Sequence, residues 1–87
     1  MDELNVSKGI FRADRFREVM DAHGATVDDI AEVAKKYTTY NRYHNPETYG
    51  RIAAGVKLYP NIFELAYICE AVNVSADYLL GLSEKVN

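Results

Sequence analysis

Apolar residues fall at three- and four-residue steps in several separate stretches of this chain, the period of helices with one buried face. From about Ser7 to His23 they sit at Ile10, Ala13, Phe16, Val19 and Met20, and Gly24 offers a natural stop. Thr26 opens a second run, with Asp29 three residues on as a weak capping box and Val27, Ile30, Ala31 and Ala34 on the inward side. Asn45-Pro46 signals another start, since Asn caps and Pro suits the first helical turn, and Gly55 closes a helix from Pro46 to about Ala54. Asn61 and Glu64 form a further capping box. It opens a run whose apolar face reads Ile62, Leu65, Ala66, Cys69 and Val72. Ser75 caps a short last helix that Gly81 ends.

Between the second and third runs the periodicity weakens. Lys35 to His44 carries Tyr37, Tyr40 and Tyr43 at three-residue steps, which fits an extension of the second helix or a turn of tighter helix. No strand pattern, repeat or linker interrupts the chain, so the expected class is all-α with five helices. Residues 1–6 are expected to be flexible, 7–83 to form one domain and 84–87 to be a tail.

Eighty-seven residues support one small core, burying only about 60 % of the unfolded surface. No apolar run reaches the ~20 residues a bilayer span needs, and the acidic N-terminus is unlike a secretory signal. Cys69, the single cysteine, cannot form an internal disulfide and reads as a packed thiol, so the expected location is cytoplasmic. Asp28, Asp29 and Glu32 read as compensation of a helix N-terminus, with no metal site implied. Neither a glycine-rich phosphate loop nor a nucleophile beside a base is present, so no catalytic residue and no cofactor are assigned.

The net charge of −3 hides a strong asymmetry. Residues 35–59 hold Lys35, Lys36, Arg42, Arg51 and Lys57 against Glu47 alone, whereas the flanking segments are both acidic. A polyanion feels the surface that faces it, because charges beyond about 8–10 Å are screened at physiological salt.

The closing stretch Asn61 to Ser83, above all Val74-Ser75-Ala76-Asp77-Tyr78-Leu79-Leu80-Gly81, resembles the last helices of the lambda-repressor-like (Xre, or Cro/repressor) helix-turn-helix family. The stretch Arg51-Ile52-Ala53-Ala54-Gly55 is similar to that family's helix-three ending. The resemblance implies a compact five-helix DNA-binding domain whose third helix lies in the major groove. It places Asn45, Glu47 and Thr48 at the leading positions of that helix and Arg51 at a later base-facing one. Tyr49 and Ile52 then point inward. Arg51 suits guanine O6 and N7, and Glu47 a cytosine amino group. Thr48 and Asn45 suit phosphate or base edges, and Lys35, Lys36, Arg42 and Lys57 suit phosphates. Tyr43 and His44 complete the expected contact set.

The family joins helices two and three by a shorter connection, and where it often has a glutamine opening helix two, this chain has Val27. The expected activity is sequence-specific regulation of transcription, of bacterial or phage type and nucleoid-associated. It would act by occupying a double-stranded operator, as a homodimer docked near Tyr78, Leu79 and Leu82. A different reading stays open: a protein-interaction module, such as an antitoxin, whose partner meets Tyr37, Tyr40 and Tyr43.

Overall fold

Local capping chemistry sets the ends of the helices. The computed structural model describes residues 11–86 and contains five α-helices and one 3-10 turn, with no strand among the described residues. Helix α1 spans Ala13–His23, α2 Val27–Tyr37, α3 Pro46–Ala53, α4 Ile62–Val72 and α5 Ala76–Leu79; the 3-10 turn covers Asn41–His44. Ser7 to Ile10, assigned by periodicity to the first helix, lie outside the described residues, and α1 begins at Ala13.

Both capping boxes form. Thr26 Oγ1 accepts from the Asp29 amide at 3.2 Å while the Asp29 carboxylate accepts from the Thr26 amide at 2.9 Å. Asn61 and Glu64 make the same reciprocal pair, at 2.8 Å each way. The Asn45 side chain accepts from the Glu47 amide at 3.0 Å, with Pro46 in the first turn of α3. Gly55 ends α3 at φ 81°, a left-handed conformation that lets the Val56 amide reach the Arg51 carbonyl at 2.9 Å. Asn73 holds the same conformation after α4 with φ 58°, one of the few residue types that tolerates it.

The core unites Phe16 and Val19 of α1, Ile30, Ala31 and Ala34 of α2, Tyr49 and Ile52 of α3, Ile68 and Val72 of α4, and Leu79 of α5. Helix α2 packs against both α3 and α4, which fixes the angle at which α3 is presented. The connection between α2 and α3 uses both expected forms: α2 runs on to Tyr37, and an extended step at Thr38–Tyr40 leads into the 3-10 turn.

Two expectations from periodicity are corrected. The buried side of α4 is Glu64, Tyr67, Ile68 and Val72, while Ile62 is 75 % exposed and Ala66 also faces solvent. Val72 is buried as expected and Leu65 and Cys69 pack against the core, so the inward side is shifted toward Tyr67 and Ile68 and only Ile62 and Ala66 leave it. Glu64 lies on the same inward side, where it closes the capping box and meets Lys57. The second correction concerns the exposed edge of α5. Leu79 is fully buried, and its carbonyl accepts from the Arg12 amide. Tyr78, Leu79 and Leu82 therefore do not form a common docking edge.

The chain end is tied to α1 by a buried arginine. The Arg15 guanidinium donates to the Tyr78 and Ser83 carbonyls at 2.8 Å each, reaches the Glu84 carboxylate at 3.1 Å and lies 4.3 Å from the centre of the Tyr78 ring. The Ser75 amide also donates to the Val86 carbonyl at 2.7 Å. Residues 83–86 thus fold back onto the helices.

Candidate nucleic-acid interface

Helix α3 has two unlike faces. Tyr49 and Ile52 are fully buried, and the Tyr49 hydroxyl donates to the Tyr43 carbonyl at 2.7 Å. Burial, and after it the Glu64 charge, holds the Tyr49 phenol far above its ordinary pKa, so the hydroxyl stays a donor. That bond pins the helix to the 3-10 turn before it. On the other face Asn45, Glu47 and Arg51 are exposed and Thr48 is half-buried.

Each of these four residues has a local partner. Arg51 Nη1 lies 3.4 Å from a Glu47 carboxylate oxygen one helical turn earlier. Both side chains reach solvent, so the pair contributes only ~0–1 kcal/mol and can be exchanged for another partner. Thr48 donates its hydroxyl proton to the Arg42 carbonyl at 2.7 Å, which ties the 3-10 turn to α3 and leaves the oxygen able to accept. Asn45 uses its oxygen as a cap and keeps its amide N–H groups. The Arg42 guanidinium lies 5.3 Å from the centre of the Tyr43 ring. Lys35 pairs with Glu32 at 2.9 Å on the exposed side of α2, and Lys36 is exposed, with no ion pair among the described residues. Asp29 and Glu32, considered above as carboxylates of one helix start, are engaged in the cap and in this pair.

Other expected contact residues are turned to structural use. Lys57 meets the Glu64 carboxylate at 2.9 Å, and Glu64 is 1 % exposed, so the lysine neutralises a buried charge. Tyr43 is buried, with its hydroxyl accepting from Asn61 Nδ2 at 3.1 Å and its ring packed edge-on to Tyr67. The His44 ring nitrogen Nε2 stands 2.7 Å from the Thr38 carbonyl; a carbonyl only accepts, so Nε2 carries the proton and fixes the tautomer. Arg17 carries a role that periodicity did not reveal. It donates to the Ala53 carbonyl at 2.6 Å, bracing α1 against the C-terminal end of α3.

The stretch after α3 is apolar and open: Val56, Leu58, Tyr59, Ile62 and Phe63 are all exposed. Cys69 sits half-buried on α4, where burial pushes its thiol up to about 11 and disfavours the reactive thiolate. Among the described residues, no helix is long and apolar enough to cross a membrane.

A scan against protein-family models matches no family, and searches of curated proteins and of solved structures return no match.

Proposed function

We propose that the chain is a sequence-specific DNA-binding regulator that reads the major groove with α3. The observation that carries this reading is the division of α3 itself. Tyr49 and Ile52 anchor it fully, while Asn45, Glu47, Thr48 and Arg51 line an outward polar face of helical spacing. The resemblance of the closing helices to lambda-repressor-like domains adds to it, as does the basic balance of residues 35–59.

In this reading Arg51 leaves Glu47 to pair with guanine, and the exchange costs little because both groups are already hydrated. Glu47 either accepts from a neighbouring cytosine or returns to solvent. Lys36 and Arg42 contact phosphates. Lys57 stays with Glu64 and makes no phosphate contact. Occupying the operator is the whole mechanism, with no chemical step.

A second reading is favoured by one observation. The open apolar stretch Val56 to Phe63 is unusual beside a polyanion and suits a protein partner.

Selection from random duplex DNA at about 150 mM salt separates the two. An enriched site whose consensus loosens for Arg51→Ala supports the regulator. Failure to enrich any site, with the chain folded, would contradict it.

A further inference from the structure

Five aromatic rings meet beside α2 and α4 without closing over one another. Tyr43 and Tyr67 are buried and form a floor, set edge-on with ring centres 5.8 Å apart and planes at 70°. Tyr37, Tyr40 and Phe63 stand around them with much of each ring in solvent. Tyr37 lies parallel to Tyr67, while Tyr40 and Phe63 are inclined to Tyr43 by 58° and 52°. Together with Thr38 they line a cleft of about 130 Å³. An engineered apolar cavity of roughly 150 Å³ accepts one benzene, so this cleft suits a single compact group.

The electrostatics select the sign of that group. Aromatic faces carry negative potential and attract cations. Among the described residues, no lysine, arginine or histidine lines the cleft. The Tyr37 hydroxyl donates to Glu70 Oε1 at 2.6 Å, which sets a carboxylate beside a lining ring, just outside the residues that form the cleft, and turns the hydroxyl dipole toward it. That charge repels a phosphate-bearing nucleotide and disfavours a neutral ring relative to a cation. Arg42, outside the lining, already lies 5.3 Å from the Tyr43 ring centre, so this floor ring is reached by a positive charge.

We propose that the cleft binds a small molecule bearing a quaternary ammonium group, with its methyls against the rings and its charge balanced by Glu70. The inference stands on the cleft alone and does not depend on DNA binding. Quaternary ammonium fits better than a primary amine because it has no N–H to satisfy in a wall of carbon, and aromatic enclosures are the usual recognition element for it.

The test uses choline and its uncharged isostere 3,3-dimethylbutan-1-ol, titrated separately into the full chain and followed by ring-resonance shifts. Choline is expected to saturate with shifts centred on Tyr37, Tyr40, Phe63 and Tyr67, and the isostere to bind at least about fivefold more weakly. Glu70→Gln keeps an acceptor for the Tyr37 hydroxyl and removes the charge. It should weaken choline severalfold and leave the isostere unchanged. Tyr40→Ala, at an exposed ring, should weaken choline without unfolding the chain, and Arg42→Gln should bind choline at least as well as the parent. Absence of saturable shifts, equal binding of the isostere, or indifference of choline to Glu70→Gln would overturn the proposal.

Discussion

Two ion pairs lie on either side of Gly55, built from the same kinds of group and put to opposite uses. Glu47 and Arg51, on α3, are 71 % and 52 % exposed and 3.4 Å apart. Glu64 and Lys57 are 1 % and 34 % exposed and 2.9 Å apart. The first pair is weak and replaceable, since water solvates both members when they separate. The second cannot part cheaply, because Glu64 would be left with a buried charge and a single amide donor from Asn61. Burial, more than residue type, decides which cation of the basic segment is free to meet a ligand.

Breaking each pair in turn sharpens the contrast. Lys57→Met keeps the aliphatic stem and removes the charge; it should lower unfolding free energy by about 2–4 kcal/mol, read by denaturant titration with an unchanged m-value. A loss below ~1 kcal/mol would mean that Glu64 is better hydrated than its burial indicates. Arg51→Ala should leave stability within ~0.5 kcal/mol while weakening the preferred duplex by about 1–3 kcal/mol and relaxing one base pair. Gly50 sits between the two faces of α3 with open space where a Cβ would be. Gly50→Ala should therefore raise stability by about 0.5–1 kcal/mol through helix propensity alone, seen as a higher Tm.

The smallest effect belongs to a second exposed pair. The Arg12 guanidinium, bonded at 2.7 and 3.0 Å, holds the Asp14 carboxyl below its ordinary value of 3.8. A depressed pKa contributes stability above the unfolded value and loses it as pH falls through the folded one. Asp14→Asn should cost under ~1 kcal/mol at pH 7 and progressively less as the pH falls below 3.8, measured by thermal unfolding across that range.

The helix ends were legible because caps are local. Thr26, Asn45, Asn61 and Ser75 each bond an amide two or three residues on, and Gly24, Gly55 and Gly81 each follow a helix at positive φ. The inward pair Tyr49 and Ile52 follows the three-residue spacing of an apolar face, and both are fully buried. The facing of α4 was not legible, because a periodicity count places glutamate outside. The loop position of Lys57, which a helical pattern does not encode, joins the Asn61 amide in making the buried position of Glu64 tolerable. The same limit hid Tyr43. Its neighbours in space, Asn61, Phe63 and Tyr67, lie far along the chain, so a tyrosine every three residues could not be told from an open contact surface. Leu79 was assigned to an exposed edge because the Arg15 anchor that draws α5 inward joins residues 63 apart.

The most direct test of this division is the affinity of Arg51→Ala and Lys57→Met for one selected duplex, at a temperature where both variants are folded. Arg51→Ala is expected to lose about 1–3 kcal/mol and Lys57→Met to stay within ~0.5 kcal/mol of the parent. Equal losses for the two, or parental binding by Arg51→Ala, would contradict that division.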